Sequence, residues 1–195
     1  MPEFDSTPAA RPHPWRAVFV DRDGTLNPDF HYLSDAARVE VFRGVAEGLR
    51  LLRAHGYLAV CVTNQSGIER GFYSDSDVRA IHERINTILA KEGTKVDRFY
   101  YCPHAPESRC PCRKPGVELF ERARDELGVE FSSSAIVGDR SLDIEAGETL
   151  GLLTALVPSP GHAAEIAEEV RTRGARPDIV APSFRAAALR ILNRG

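Results

Sequence analysis

Two aspartates stand two residues apart in the segment Asp21-Arg22-Asp23-Gly24-Thr25, which directly follows the apolar run Ala17-Val18-Phe19-Val20. A carboxylate that leaves a buried strand is held rigidly, and aspartate can form an acyl phosphate that divides a difficult hydrolysis into two easier steps. The second carboxylate could protonate the leaving oxygen and later activate water. We therefore predict Asp21 as the nucleophile and Asp23 as the acid/base residue in the hydrolysis of a phosphate ester. The alternative is a charged turn, because Asp and Gly are common turn residues.

Two later segments offer hydrogen-bond donors and positive charge for a phosphate. The hydroxyl and amide groups of Thr63-Asn64-Gln65-Ser66 could donate hydrogen bonds to phosphoryl oxygens, although this segment alone fits a polar turn at least as well. Lys114 could offset charge on the phosphate and on Asp21, and Arg113 could grip a phosphate or a sugar with its planar guanidinium. Taken alone, the two cations are more typical of a solvated surface.

A further acid, Asp139, follows the apolar run at 134–137. Mg²⁺ prefers oxygen ligands and keeps several waters, so Asp21, Asp139 and a backbone carbonyl would suffice to bind it. We predict a Mg²⁺ cofactor with Asp21, Asp23 and Asp139 as its ligand residues, where it would neutralise the phosphate and orient it for attack. Asp139 could instead be a turn acid, and Asp143 is either a metal ligand, a residue that supports one, or an acid at the start of a helix.

Three cysteines and a histidine cluster in Cys102-Pro103-His104 and Cys110-Pro111-Cys112. Three thiolates and one imidazole make a full tetrahedral set for a closed, structural Zn²⁺ site. The alternatives are free thiols, a redox pair or a catalytic metal with an open position. We predict Zn²⁺ bound by the loop 102–112, which would fix the two cations that follow it, because so small a loop has no hydrophobic core of its own.

The elements that must position these residues are strands and helices in alternation. Short apolar runs predict strands, and apolar residues at helical spacing predict the helices between them, including one with Pro115 in its first turn. This order is typical of an α/β fold with a Rossmann-like, doubly wound parallel sheet and helices on both faces. Ligands of such sheets bind beyond the carboxyl ends of the strands. Asp21, Thr63 and Asp139 each end a predicted strand, so we expect them to meet at one edge.

Composition limits the classes of partner. The chain has 195 residues and a net charge of -3, which gives no reason to expect nucleic acid or a membrane as a partner. Residues 1–14 are proline-rich and lack the features of a secretory signal, so we expect a disordered leader before a single domain at 15–195. We expect a cytoplasmic monomer that acts on a small molecule.

In their order and at their strand ends, these segments closely resemble the haloacid dehalogenase-like phosphatase superfamily, from about Ala17 to Val157. Together with the predicted zinc loop at 102–112, the resemblance suggests a compact phosphatase without a large cap domain. It implies these roles: Asp21 as nucleophile, Asp23 as acid/base, Thr63 and Lys114 as phosphate-stabilising residues, and Asp139 as a metal ligand. We also predict Arg113 as a catalytic residue, from its ability to grip a phosphate.

The zinc loop before Arg113 resembles a branch of that superfamily whose members act on heptose bisphosphate or histidinol phosphate. The segments at 63–71 and 100–104 are more similar to the heptose enzymes, whereas the short gap between His104 and Cys110 is similar to the histidinol-phosphate enzymes. The resemblance implies removal of the 7-phosphate of D-glycero-D-manno-heptose 1,7-bisphosphate, with histidinol phosphate as the alternative substrate. A zinc-stabilised binding module with a vestigial site is the non-enzyme alternative. The implied substrate-binding residues are Asp29, Phe30, His31, Tyr32, Asn64, Gln65, Ser66, Arg113 and Arg140.

Overall fold

Strands and helices alternate throughout the computed structural model, which describes residues 14–194. The strands are β1 Arg16–Val20, β2 Tyr57–Asn64, β3 Arg98–Cys102, β4 Ala135–Gly138, β5 Leu153–Leu156 and β6 Ile179–Val180. The α-helices are α1 Val45–Ala54, α2 Asp75–Lys91, α3 Glu118–Leu127, α4 Ser141–Leu150, α5 Ala163–Arg173 and α6 Phe184–Leu192. Short 3₁₀ turns lie at Ala36–Arg38, Pro106–Ser108 and Phe131–Ser133.

The six strands form one parallel sheet in the order β3-β2-β1-β4-β5-β6. Because β1 lies between β2 and β4, the segments that follow these three strands emerge side by side at the carboxyl edge. The predicted α/β fold with a doubly wound parallel sheet is confirmed.

Helices cover both faces of the sheet, and alternate residues of each strand serve the two faces. Val18 and Val20 of β1 pack in the cluster that contains the buried sides of α1, α2 and α6, whereas Ala17 and Phe19 pack in the cluster with α3 and α4. The ring of Phe19 meets the ring of Phe120 edge to face at 5.1 Å between centroids. Because both faces of β1 are buried in this way, residues 17–20 of the strand are all apolar.

The helix that the sequence places at Pro115 begins instead at Glu118. Residues 111–117 form turns first, because the Gly116 amide donates to the Arg113 carbonyl at 2.7 Å and the Glu118 amide donates to the Pro111 carbonyl at 3.4 Å. The cysteine loop and its two cations are therefore followed by further irregular chain.

Apart from Pro14, the predicted leader over residues 1–14 lies outside the described residues, and the single domain at 15–195 stays a prediction. Within residues 14–194, no helix combines the length and the apolar character needed to span a membrane.

Candidate active site

The predicted catalytic and substrate-binding residues line one cavity of about 440 Å³, with Phe30 as the exception. Asp21, Thr63 and Asp139 reach it from the ends of β1, β2 and β4, as the strand order requires. The amide of Asp21 still donates to the Val137 carbonyl at 3.0 Å, so the position of its side chain is set by the sheet. Arg22, Tyr73, Leu142 and Asp143 also line the cavity.

Lys114 is the cation closest to Asp21. Its Nζ donates to Asp21 Oδ1 at 2.7 Å, to Asp143 Oδ1 at 2.6 Å and to the Val62 carbonyl at 2.8 Å. Burial alone would lower the pKa of Lys114, but attraction to Asp143 and Asp21 raises it, so the side chain is a cation at neutral pH. The amide of Asn64 binds the backbone of Lys114 through both of its polar atoms, at 3.2 and 3.0 Å.

Asp23 is held as a carboxylate beside the nucleophile. Its Oδ1 accepts hydrogen bonds from Arg22 Nε at 3.1 Å and Asn27 Nδ2 at 3.0 Å, and its Oδ2 accepts from Arg22 Nη2 at 2.7 Å and Gln65 Nε2 at 2.8 Å. Burial would raise the pKa of Asp23, but the charge of Arg22 and these hydrogen bonds lower it. Arg22 itself is only 1% exposed.

Three carboxylates converge in an arrangement that fits Mg²⁺. Oxygen atoms of Asp21, Asp139 and Asp143 lie within 4.8 Å of one another. Among the described residues, no hydrogen-bond partner reaches the buried Oδ1 of Asp139, as expected for an oxygen that would bind a metal. The carboxylate of Asp23 is outside this group because Arg22, Asn27 and Gln65 bind it. Asp23 as a ligand residue therefore stays a prediction, with its backbone carbonyl as the atom that would reach the metal.

Close contacts fix the position of Asp139. The hydroxyl of Ser159 lies 2.5 Å from Asp139 Oδ2 and 3.1 Å from the carbonyl of Gly24. Gly24 has a φ of +86°, and a Cβ there would lie 2.1 Å from Asp139 Oδ2. Only glycine therefore lets the turn after β1 approach the carboxylate so closely.

Burial, followed by repulsion from neighbouring acids, raises the pKa of Asp139 to about 8, and burial raises the pKa of Asp21 to about 6. For an acid whose pKa is higher in the folded state, the associated stability is present at low pH and is lost as the pH rises through that value. In Mg²⁺-free buffer, wild-type stability should therefore fall from about pH 4, where these acids ionise in the unfolded chain, to about pH 8, where Asp139 ionises in the folded protein.

We expect Asp139→Asn to raise the melting temperature at pH 9 in Mg²⁺-free buffer by roughly 2–6 °C, because it removes one of the mutually repelling buried carboxylates. Activity should be lost in the same variant. Calorimetry at pH 6 and pH 9 checks this, and a variant that melts below the wild type at pH 9 contradicts it.

The wall of the cavity beyond the reacting groups is formed by polar and aromatic side chains. Asp29, His31 and Tyr32 line it, and the backbone of His31 has a φ of 56° while its amide donates to Asp29 Oδ1 at 2.7 Å. Phe30 does not line the cavity, because its ring lies under the guanidinium of Arg38, 5.2 Å from the ring centroid. The loop therefore brings three of its four predicted residues to the cavity.

Two guanidinium groups flank the same cavity. Arg113 Nη1 donates to the carbonyl of His104 at 3.2 Å, which ties this side chain to the cysteine loop. Arg140, which follows β4, pairs through Nη2 with Oε2 of Glu169 on α5 at 2.6 Å. Both side chains line the cavity and can meet an anionic group of a ligand there.

The four predicted zinc ligands converge. The ligand atoms of Cys102, His104, Cys110 and Cys112 all lie within 4.8 Å of one another. The sulfur of Cys112 lies 3.0 Å from that of Cys102, 2.7 Å from that of Cys110 and 3.3 Å from His104 Nδ1, so these sulfurs are too far apart for a disulfide bond. Three sulfurs and one ring nitrogen around a common centre fit a tetrahedral Zn²⁺.

No pattern in the sequence pointed to Arg22, Tyr73 or Ser159 as parts of the site. Arg22 lies inside the strongest motif, but a charged residue after a strand ordinarily faces solvent. Ser159 follows β5 and reaches Asp139 only because β4 and β5 are neighbours. The one sequence signal for Ser159 is its position: it is a hydroxyl residue just after the carboxyl end of β5, the strand that follows β4 in the chain.

Two family models match the chain. The HAD-hydrolase-like model covers residues 111–187, and the model of the polynucleotide kinase 3 phosphatase covers residues 21–148, about two thirds of the chain. Between them they include every residue from Asp21 to Asp143 that lines the cavity.

Among similar proteins, the D-glycero-beta-D-manno-heptose-1,7-bisphosphate 7-phosphatase of Haemophilus ducreyi is 39% identical over 155 residues, or 76% of this chain and 85% of that protein. The enzyme of the same name from Escherichia coli O6:H1 is 36% identical over 74% of this chain and 80% of that protein.

A crystal structure of the D,D-heptose 1,7-bisphosphate phosphatase of B. bronchiseptica, complexed with magnesium and phosphate, is also similar. It has a TM-score of 0.80 and 28% identity, and the match covers 92% of this chain and 99% of that one. Sequence, fold and site agree, and the chain belongs to the haloacid dehalogenase-like phosphatases, a family of enzymes that hydrolyse phosphate esters.

Proposed function

We propose that this enzyme removes the 7-phosphate of D-glycero-D-manno-heptose 1,7-bisphosphate through a phospho-aspartate on Asp21. The observation that carries the proposal is the position of Asp21 at the end of β1, with Lys114 Nζ 2.7 Å from its Oδ1 and Asp23 two residues away. The names of the similar enzymes from Haemophilus ducreyi and Escherichia coli support the choice of substrate.

In the first step, an oxygen of Asp21 bonds to phosphorus and the bond between phosphorus and the ester oxygen breaks, while the leaving oxygen takes a proton from Asp23. In the second step, water gives a proton to Asp23 and attacks the phosphorus, which releases phosphate and restores Asp21. The pKa of Asp23 is low in the free site, and an adjacent anionic phosphate raises it toward the value that proton donation needs.

Lys114 and Thr63 stabilise the charge that develops on the phosphoryl oxygens. We propose that Asp21 and Asp139, with the backbone carbonyl of Asp23, hold Mg²⁺, which supplies charge neutralisation and orients the phosphoryl group when bound. Asp143 supports Lys114 at 2.6 Å and lies close enough to the other two acids to join them.

Two arginines in the cavity favour a bisphosphate substrate over histidinol phosphate, because the second phosphate needs a cationic partner of its own. Arg113 and Arg140 both line the cavity and together offer two planar cations, whereas histidinol phosphate carries a cationic group at its far end. Asp29, His31, Tyr32 and Ser66 are the proposed contacts to the sugar hydroxyls.

We further propose that Cys102, His104, Cys110 and Cys112 bind a structural Zn²⁺ and that the enzyme acts as a monomer on a small phosphorylated sugar. A net charge of -3 supports the prediction that neither nucleic acid nor a membrane is a partner. The cytoplasmic location stays a prediction from the sequence.

A direct comparison of kcat/KM on the heptose bisphosphate, histidinol phosphate and fructose bisphosphate tests the substrate. We expect a preference of at least about tenfold for the heptose bisphosphate, because each competitor lacks part of the groups that the cavity binds. A preference for histidinol phosphate would overturn the substrate and leave the chemistry intact. No turnover of any phosphate ester with Mg²⁺ present would instead favour a binding module with a vestigial site.

A further inference from the structure

Gln65 lines the cavity, but every hydrogen-bonding position of its side-chain amide is occupied by a protein group. The residue is 1% exposed. Its Oε1 accepts hydrogen bonds from Arg22 Nη2 at 2.9 Å and from Tyr73 Oη at 2.8 Å. Its Nε2 donates to Asp23 Oδ2 at 2.8 Å and to Thr63 Oγ1 at 2.9 Å. An amide has two acceptor sites and two N–H groups, so this set leaves none for a substrate.

The chemistry of its neighbours fixes the orientation of the Gln65 amide. The guanidinium of Arg22 can only donate, so the oxygen of the amide must face it. The carboxylate of Asp23 can only accept, so the NH₂ group must face it. A flipped amide would place N–H against N–H on one side and oxygen against oxygen on the other. The hydrogen bond from Tyr73 reinforces the same orientation.

This orientation decides which way the hydroxyl of Thr63 points its hydrogen. Because Thr63 Oγ1 accepts from Gln65 Nε2, the hydrogen of the hydroxyl remains available for a phosphoryl oxygen in the cavity. The same NH₂ group helps to fix the Oδ2 oxygen of Asp23, which Arg22 holds from the other side at 2.7 Å. One amide thus links the acid/base residue with a phosphate-binding hydroxyl.

We propose that Gln65 is a positioning residue, which acts through Asp23 and Thr63 and is itself set by Arg22 and Tyr73. This inference rests on the phosphatase function proposed above. It replaces the prediction from sequence that Gln65 contacts the substrate.

The frame around Gln65 is built from segments far apart in the chain. The ring of Tyr73 packs on Gly67, where a Cβ would lie 2.3 Å from Tyr73 Cε1, so a side chain at Gly67 would displace the ring. Arg22 is 1% exposed and reaches Gln65 from the end of β1. Rigid support of this kind is what precise placement of a reacting group requires.

The variant Gln65→Glu tests the proposal with little change in shape. The introduced carboxylate keeps its bonds to Arg22 and Tyr73, but it cannot donate to Asp23 and it draws the hydrogen of the Thr63 hydroxyl away from the phosphate. At saturating Mg²⁺, we expect kcat to fall about 100-fold while KM changes less than about threefold. A kcat within twofold of the wild type overturns the proposal. So does a KM raised more than tenfold at unchanged kcat, which would mean that Gln65 binds the substrate directly.

Asn86→Asp is the matched control. Asn86 is a partly buried amide that exchanges hydrogen bonds with the backbone of Val96 at 3.0 and 2.8 Å, ahead of β3 and therefore at the opposite end of the sheet. We expect the same amide-to-acid change there to leave kcat within twofold of the wild type. Wild-type protein that hydrolyses no phosphate ester would refute the proposed function before any variant is compared.

A second measurement does not depend on catalytic activity, and its main result comes from the wild-type protein. Gln65 is the only glutamine of the chain, so protein labelled with side-chain ¹⁵N-glutamine shows one side-chain NH₂ group. Because both hydrogens are bonded inside the protein, we expect them to exchange with solvent at least about 100-fold more slowly than those of free glutamine. Tyr73→Phe should speed this exchange. Exchange as fast as in free glutamine overturns the proposal, whatever the result with the enzyme.

Discussion

Asp21→Asn is expected to lower kcat by at least about 10⁴-fold, since the amide cannot form the phospho-enzyme and removal of a nucleophile costs factors of this order. The variant should keep its fold. Burial raises the pKa of Asp21 to about 6, so the ionised form is already costly, and Lys114 retains Asp143 as a partner at 2.6 Å. Loss of activity without loss of stability would therefore identify a role in the reaction itself.

Steady-state kinetics with Mg²⁺, together with a melting curve, measures the effect of Asp21→Asn. Asp125→Asn is the matched control, because Asp125 is an exposed acid on α3 that contacts Arg124 at 2.9 Å. Acid quenching of the wild-type enzyme during turnover should yield a peptide that carries phosphate on Asp21. An Asp21→Asn enzyme that keeps more than a hundredth of wild-type kcat would exclude the mechanism.

Removal of zinc is expected to produce the second large effect. The protein purified without chelator should hold about one zinc per chain, and a strong chelator should lower the melting temperature by roughly 10 °C and kcat/KM at least about tenfold. The reason is that Cys102 and Cys112 are buried, at 0% and 7% exposure, and their loop delivers Arg113 and Lys114 to the cavity. Burial also raises the pKa of both thiols, so without metal they stay protonated and cannot hold the loop together.

Two cysteine variants distinguish the effect of losing zinc from the effect of losing a thiol elsewhere in the protein. Cys112→Ser should lose most of the zinc and reproduce the effect of the chelator. Cys61→Ala should keep one zinc per chain, because Cys61 lies buried within β2, away from the loop. Metal analysis decides the matter: less than a tenth of a zinc per chain in unchelated protein would rule out the site.

The sequence alone was sufficient for the sheet and for the acids at its edge. A continuous apolar run predicts a strand that is buried on both faces, and parallel strands end at the same edge of a sheet. These local patterns were enough to predict that Asp21, Thr63 and Asp139 lie close together, as they do in the cavity. The spacing of the cysteines likewise predicted a set of ligands whose atoms converge within 4.8 Å. Both predictions depend only on periodicity and on the kinds of ligand that a metal accepts.

Only the tertiary structure decided how the groups inside the cavity share their hydrogen bonds. Arg22 follows a strand and would ordinarily face solvent, but it is buried against Asp23 and against Gln65, 43 residues later in the chain. Ser159 meets Asp139 because β5 lies beside β4, and Phe30 turns from the cavity to Arg38.

The surroundings of Asp21 and Asp23 show the physical reason for this division. A strand or a metal-binding loop is specified by neighbours within a few residues, whereas a buried charge is tolerated only when distant partners pair with it and satisfy its hydrogen bonds. Those partners depend on which segments the completed sheet places side by side. The sequence therefore determined that Asp21 stands at a reactive edge, and the fold determined that Lys114 neutralises it and that Arg22 and Gln65 orient the acid beside it.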